Sequence, residues 1–296
     1  MPKLRHDQAE GLRRLLDPNA LRVVAISAGA GGSGSTGAII NFAGALTELG
    51  RDVLIIDESP TAQGVTAALG IKARFDLDDV IRGKRDLDEV IVRVPAGFLI
   101  LPLARGARSL LQLPASEQQR LVERCGRLGL PVDTLLVDFA PGSASALLWP
   151  TTAAQQVIIL PGGGASAITA AYALIKRLSN DFARREFHIL VSNIASESEA
   201  RAIFGNMARV ARQHLRVSLD FMGHIPPDSK LQNAAHLRLP VVAAFPDAPS
   251  AGSYRRLAQA IIDWPQPDER GSGFDDFMRR LIHSGHSFTA TAQAGI

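Results

Sequence analysis

The sequence predicts an α/β fold, a doubly wound and mostly parallel β-sheet flanked by helices. Short runs rich in Val, Ile and Leu alternate with helix-length segments along most of the 296 residues. These runs are apolar throughout rather than at every second position, which is typical of strands buried on both faces of a sheet. A hydrophobic content of 46% and a charged content of 21% indicate a globular protein.

The predicted strands are, in chain order, 21–27, 52–57, 98–103, 134–139, 156–161, 187–193 and 218–226. Segments with helical spacing of apolar residues lie between them, at about 36–49, 116–129, 166–179 and 196–214. We interpret residues 21–264 as one α/β domain with a separate segment at each end. In the first segment, residues 1–20, the helical pattern ends at Asp17-Pro18. The last segment, residues 265–296, begins with the polar run PQPDERGSG.

The overall composition excludes several classes of protein. A single cysteine, Cys125, rules out a disulfide framework and predicts a cytoplasmic protein. The net charge of +3 is too small to indicate specific nucleic-acid binding. The N-terminus lacks the apolar stretch of a secretory signal, and the histidines lack metal-ligand spacing.

A glycine-rich stretch, AGAGGSGST, lies between the first predicted strand and the first predicted helix. Such glycines let backbone N–H groups converge on a phosphate, and the helix N-terminus behind them favours an anion. Thr36 stands where a hydroxyl would bind Mg²⁺, but Ser35 occupies the position of the usual lysine. The candidate nucleotide-binding residues of this loop are Gly29, Ala30, Gly31, Gly32, Ser33, Gly34, Ser35 and Thr36.

From about residue 21 to 263 the sequence resembles the MinD/ParA-type ATPases, a P-loop NTPase family of the SIMIBI class with the loop motif KGGxGKT. On that motif Ala30 replaces the signature lysine and Ser35 the second lysine, whereas Gly31, Gly32, Gly34 and Thr36 match. In that family the signature lysine reaches the partner subunit's phosphates across a dimer. The resemblance therefore implies a monomer here, or a dimer that does not respond to ATP.

The remaining site positions of the family are partly kept. Asp57 matches the first acid of the switch after the second strand, but Ser59 stands at the position of the catalytic aspartate. Asp138, in LLVDFAPG, matches the carboxylate that supports Mg²⁺, and Asn193 matches a residue that frames the adenine. The resemblance implies Mg²⁺ held by Thr36, Asp57 and Asp138 if a nucleotide binds, and it gives no catalytic residue.

The absence of both lysines from the loop predicts a nucleotide site that does not hydrolyse ATP. Each charge-assisted hydrogen bond contributes about 1.5–3 kcal/mol, so two missing lysines predict an affinity lower by a few powers of ten. We therefore expect either no cofactor or weakly bound Mg-ATP or Mg-ADP. Two alternatives stay open: a weakly active ATPase whose cation comes from elsewhere in the fold, and a glycine loop retained only as a tight turn.

The segment DQAEGLRRLL, residues 7–16, has the spacing of a capped amphipathic helix that would order only against a partner or the domain. It also matches the DQAxxLR motif of the FlhG family (FleN, YlxH), MinD-like regulators of flagellar number and placement. That resemblance implies binding to the SRP-type GTPase FlhF and stimulation of its GTP hydrolysis, with Gln8 as the activating residue. The matching residues are Asp7, Gln8, Ala9, Leu12 and Arg13.

The stretches SAITAAYALIKRLS (166–179) and SESEARAIFGNMARVA (196–211) resemble helices of the same family. By this resemblance, further partners would be flagellar switch or C-ring proteins, or a flagellar transcription activator. The alternative interpretations are a MinD-type ATPase that cycles on the membrane and another MinD relative that serves pilus or cellulose secretion.

The tail sequence GFDDFMRRLIHSG, residues 273–285, has the apolar spacing of one helix face. By resemblance to MinD it would bind a membrane and place the protein peripherally at the inner membrane or cell pole. Its charges cancel, which disfavours anionic lipid, and the alternative is that it packs into a groove of the body. The apolar residues are Phe274, Phe277, Met278, Leu281 and Ile282.

Overall fold

The computed structural model describes residues 21–29, 34–58, 64–103, 105–127, 130–139, 153–265 and 273–283. The predicted N-terminal segment 1–20 lies outside the described residues. One eight-stranded sheet forms the centre of the molecule. Its strands are β1 (Arg22–Ser27), β2 (Val53–Asp57), β3 (Val92–Arg93), β4 (Leu99–Pro102), β5 (Thr134–Asp138), β6 (Gln156–Ile159), β7 (Glu186–Ser192) and β8 (Ser218–Ile225).

The strand order across the sheet is β3-β4-β2-β5-β1-β6-β7-β8. All neighbouring strands pair in parallel except β3, which runs antiparallel to β4 at one edge. Strands β1, β2, β4 and β5 are buried along their whole length, as their continuous apolar runs predict. The predicted mostly parallel α/β fold is confirmed.

Helices connect the strands. They are α1 (Ser35–Glu48), α2 (Val65–Ala68), α3 (Leu77–Ile81), α4 (Leu87–Val90), α5 (Gly106–Leu111), α6 (Ala115–Gly126), α7 (Ala165–Phe182), α8 (Glu197–Leu215), α9 (Ser229–His236), α10 (Val241–Ala244), α11 (Pro249–Asp263) and α12 (274–283). Two buried apolar clusters lie on opposite faces of the sheet. One includes α1, α10 and α11, and the other includes α6, α7, α8 and α12.

The register of the central strands sets the position of the candidate site. Asp57 at the end of β2 lies opposite Asp138 at the end of β5, and Asp138 lies opposite Ile26 of β1. The carboxyl ends of these three strands therefore lie side by side at one edge of the sheet, where open α/β sheets bind their ligands.

Several elements were not predicted from the sequence: strand β3, the short helices α2 to α5, and the helices α9 to α11. Strand β3 was not predicted because it is only two residues long. Helix α11 was not predicted either, although it spans 15 residues. Its first turn, Pro-Ser-Ala-Gly, has low helix propensity, and its capping carboxylate, Asp228, lies far back in the chain.

Candidate functional site

The first turn of α1 is open to an anion. Gly34 occupies the N-cap position, no side chain among the described residues caps the helix, and its first turn contains no acidic residue. A methyl group built on Gly34 would meet no atom of the described residues within 4 Å. The packing of the described residues therefore does not require glycine here, and none of them blocks the approach of a phosphate to this side of the helix N-terminus. The neighbouring loop residues Ala30, Gly31, Gly32 and Ser33 lie outside the described residues.

Gly29, in contrast, is required by the packing of the protein. Its φ of +83° lies in the left-handed region, and a Cβ at this position would come within 2.8 Å of the backbone carbonyl of Ala170 in α7. This glycine allows the chain leaving β1 to pass close to that helix. Its presence is explained without a phosphate, which agrees with the interpretation of the loop as a tight turn.

Thr36 and Asp138 form the centre of the site. The Thr36 hydroxyl donates a hydrogen bond of 2.9 Å to Oδ2 of Asp138. Asp138 is only 4% exposed, and its other oxygen, Oδ1, has no hydrogen-bond partner among the described residues. Ser35, also buried, lies close enough for its hydroxyl to interact with the same carboxylate.

The pKa of Asp138 reflects its burial without a paired cationic side chain among the described residues. The pKa of Asp138 is raised to about 7, chiefly by burial and also by the charge of Asp57, against the lowering effect of the hydroxyls of Thr36 and Ser35. Within the described part of the chain, no lysine or arginine forms an ion pair with Asp138. The ionised form of Asp138 is therefore disfavoured unless a positive charge lies nearby.

Asp57 is also buried, at 2% exposure. Its Oδ2 accepts hydrogen bonds of 2.9 Å from both the backbone N–H and the hydroxyl of Thr66. One oxygen of this predicted metal ligand therefore holds the start of α2 in place. Ser59, at the catalytic position of the family motif, lies outside the described residues.

These residues fit a magnesium ion better than they fit a triphosphate. A hydroxyl beside a buried carboxylate with a free oxygen is the type of oxygen donor set that Mg²⁺ prefers. Across the described ranges, however, no group of three or more His, Cys, Asp or Glu could hold a metal ion. Bound Mg²⁺ would need further oxygens from a nucleotide or water, and Ser35 supplies a neutral hydroxyl in place of a lysine.

Asn193, predicted to frame the adenine, directly follows β7. Asn193 is exposed and has a φ of +60°, a left-handed conformation that asparagine tolerates. Asp228 accepts hydrogen bonds from Lys230 N (2.8 Å), Ser250 N (3.0 Å) and Ser250 Oγ (2.6 Å). It thereby caps α9 and also binds the first turn of α11. The sequence did not predict this structural role of Asp228, because its partner Ser250 lies 22 residues further along the chain.

The apolar residues of α12 are buried. Phe277 and Leu281 are fully buried, and Phe274, Met278 and Ile282 are at most 8% exposed, all within the core cluster that includes α6. A methyl group on Gly126 of α6 would lie 3.5 Å from Asp275 Cβ. Of the two interpretations of the tail, packing into a groove is the arrangement in the structure, and membrane binding stays a prediction. None of the described helices is long and apolar enough to cross a bilayer.

Comparison with curated proteins shows two relatives over nearly the whole chain. The antiactivator FleN of Pseudomonas aeruginosa is 30% identical over 281 residues, which cover 95% of this chain and 100% of FleN. The flagellum site-determining protein YlxH of Helicobacter pylori is 26% identical over 269 residues, with coverages of 88% and 90%. No protein-family model matches the chain.

Solved structures with the same fold include MinD proteins. The Aquifex aeolicus MinD cell division protein superposes with a TM-score of 0.61 at 23% identity, covering 84% of this chain and 100% of that one. MinD of Pyrococcus horikoshii, complexed with Mg-ADP, also has a TM-score of 0.61, at 20% identity, with coverages of 82% and 96%. Together, the sequence identity to FleN over its full length and the shared fold show that the chain belongs to the FlhG/FleN (YlxH) family of MinD/ParA-type P-loop ATPases.

Proposed function

We propose that this protein is a FlhG/FleN-type regulator of flagellar number and placement that acts by binding other proteins and does not hydrolyse ATP. The names of two relatives, an antiactivator and a flagellum site-determining protein, support the biological role. The proposed lack of ATP hydrolysis is supported by the environment of Asp138. This buried carboxylate accepts a hydrogen bond from the Thr36 hydroxyl but forms no ion pair with a cationic side chain of the described residues.

The nucleotide site of the proposed regulator binds Mg-ATP or Mg-ADP weakly or not at all. Mg²⁺, when bound with a nucleotide, would supply the positive charge that the Asp138 carboxylate lacks. Thr36 and Asp138 would hold the ion, and the open N-terminus of α1 would face the phosphates. Catalysis of phosphoryl transfer depends on positioning and charge stabilisation. With Ala30 and Ser35 at the lysine positions and Ser59 at the aspartate position, both contributions are missing.

The partner of residues 1–20 is, in this proposal, the FlhF-type SRP GTPase. The match of the segment DQAEGLR to the family motif supports this partner, and Gln8 acts as the activating residue. Flagellar switch or C-ring proteins, or a flagellar transcription activator, would bind the α/β body. The protein would work in the cytoplasm or at the inner membrane surface near the pole.

GTP hydrolysis by the flagellar GTPase of the same organism tests this partner. The full-length protein is expected to accelerate hydrolysis several-fold, and Gln8→Ala is expected to abolish the acceleration. Gln213→Ala, at an exposed position on α8, serves as the matched control and keeps full stimulation. Failure of the full-length protein to stimulate the GTPase at saturating concentration would contradict the proposal and favour a MinD relative with a different partner.

A weakly active ATPase that cycles on the membrane is the second candidate. The observation that favours it is the geometry of Thr36 beside the free oxygen of Asp138, which suits Mg²⁺. Phosphate release measured with Mg-ATP and anionic vesicles separates the two candidates. Turnover that Asp138→Asn abolishes would support the ATPase, whereas no turnover above the buffer rate supports the regulator.

A further inference from the structure

A cleft separate from the nucleotide site lies between α6 and the turn that follows α3. Its volume is about 180 Å³, and its charged lining consists of Arg82, Arg120, Arg124 and Glu117. Since a water molecule occupies about 30 Å³ in the liquid, the cleft has room for one side chain of moderate size rather than for a single solvent molecule. Among the described lining residues, three guanidinium groups outnumber one carboxylate, and after the pairing of Arg82 with Asp78 the cleft keeps a small net positive charge.

The arginines keep most of their hydrogen-bonding capacity for a ligand. Arg124 donates from Nη1 to the carbonyl oxygen of Val80 at 2.7 Å, and Arg82 Nε pairs with Asp78 at 2.7 Å. These contacts fix the two side chains at the cleft and use one donor of each. Arg120 forms no hydrogen bond or ion pair with any described residue. Because a guanidinium has five donors, most N–H groups of these three side chains have no hydrogen-bond partner among the described residues.

The floor of the cleft is apolar. Val80 and Leu121 line it and are almost fully buried, at 0% and 3% exposure. An oxyanion bound above this floor would be shielded partly from water, which strengthens its attraction to the guanidinium groups. Bidentate pairing with a planar carboxylate is the geometry for which arginine is best suited.

We propose that this arginine cleft binds an acidic segment of a partner protein, with a carboxylate side chain entering the cleft. Two features favour a peptide over a membrane surface. The recess admits a single side chain but not a flat layer of lipid headgroups, and its guanidinium groups suit bidentate pairing with a planar carboxylate. The proposal uses neither the nucleotide-site residues nor residues 1–20, so it can fail while the proposed function stands.

Fluorescence anisotropy of a labelled polyglutamate peptide titrated with the full-length protein tests the proposal. Wild type is expected to bind polyglutamate and not polyglutamine, and Arg120→Glu is expected to weaken binding about tenfold or more. Arg120 is exposed, so this variant should fold normally. The matched control is Arg209→Glu, which makes the same charge change at an exposed position on α8 and should leave binding unchanged.

Three results would overturn the proposal. One is unchanged affinity in Arg120→Glu, and another is an equal loss in Arg209→Glu, which would indicate a general effect of net charge. The third is binding to phosphatidylglycerol vesicles that depends on Arg120 when polyglutamate does not bind. That result would assign the cleft to lipid headgroups instead.

Discussion

Thr36 and Asp138 are 102 residues apart in the chain and are joined by a hydrogen bond of 2.9 Å between the threonine hydroxyl and the carboxylate. The contact forms because β1 and β5 are neighbours in the sheet and both end at its carboxyl edge. A pair of oxygen donors suited to Mg²⁺ therefore exists in the site that we propose has lost two lysines, with Ala30 and Ser35 in their place. The following predictions test what this arrangement does for stability and for binding.

The first prediction concerns Asp138 and pH. Burial raises the pKa of Asp138 in the folded protein to about 7, from an ordinary value of 3.8. The folded state therefore binds a proton that the unfolded state releases, and this group's contribution to stability falls as the pH rises from about 4 to about 7. Since each pKa unit corresponds to about 1.4 kcal/mol, the full effect is on the order of 4 kcal/mol.

Asp138→Asn removes this titration. The variant is expected to be more stable than wild type by about 2 kcal/mol or more at pH 8, with a much smaller difference at pH 5. Urea unfolding at both pH values measures the difference, with Asp247→Asn at an exposed position as the control. A stability difference that is the same at pH 5 and pH 8 would show that Asp138 does not titrate in this range.

The second prediction compares the stability effects of alanine at the two glycines that flank the loop, Gly29 and Gly34. Gly29→Ala places a methyl group 2.8 Å from the Ala170 carbonyl in a left-handed conformation, so it should destabilise the fold by about 2–4 kcal/mol. Gly34→Ala meets open space and should change stability by less than about 1 kcal/mol. Chemical denaturation of both variants measures this, and equal losses would refute the assignment of Gly29 to packing.

The third prediction uses Cys125 as a reporter of α12. Cys125 is the single cysteine in the sequence and is 1% exposed. Burial, with a smaller effect of Asp275 on α12, raises its pKa to about 12, so the thiol should react very slowly with a disulfide reagent. Phe277→Ala removes a fully buried side chain from the packing of α12 against the core, which should lower the free energy of unfolding by about 3–5 kcal/mol. The substitution should therefore expose the thiol.

The rate of thiol labelling under native conditions is the measurement. Labelling should accelerate strongly in Phe277→Ala and stay slow in Arg279→Ala, whose side chain on the same helix is 58% exposed. Rapid labelling of wild type would mean that α12 does not stay packed against α6 in solution.

The fourth prediction concerns Asp228. Burial would raise the pKa of Asp228, but the hydrogen bonds from Ser250 and Lys230 outweigh it and hold the pKa below its ordinary value. The carboxylate therefore stabilises the fold above its ordinary pKa, and this contribution is lost as the pH falls through the lowered folded-state pKa. Asp228→Ala should destabilise the protein by about 2 kcal/mol at pH 7, because two helices lose a cap.

Thermal unfolding measures the effect, and Asp228→Asn separates the charge from the hydrogen bonds. The asparagine variant should keep part of the stability because its amide oxygen still accepts hydrogen bonds. Full stability of Asp228→Ala would contradict the capping role.

The fold was predictable because its strands are continuous apolar runs, and such runs have few alternatives to a parallel sheet. The glycine loop, Thr36, Asp57 and Asp138 were predictable because they are local motifs that follow strands. The packing of Gly29 on Ala170 and the cap of α11 by Asp228 were not predictable, because both depend on contacts between distant segments. Helix α12 was predictable from its spacing, but its packing against α6 required the structure.

Calorimetric titration with Mg-ATP, on wild type and on Ser35→Lys, tests the central claim most directly. The lysine restores one missing cation of the loop, with Ala30→Lys as a second variant if Ser35→Lys does not fold. The account predicts that wild type binds Mg-ATP weaker than the lysine variant by a factor of about 10 or more and shows no turnover. Micromolar binding by wild type with measurable ATP hydrolysis would contradict it.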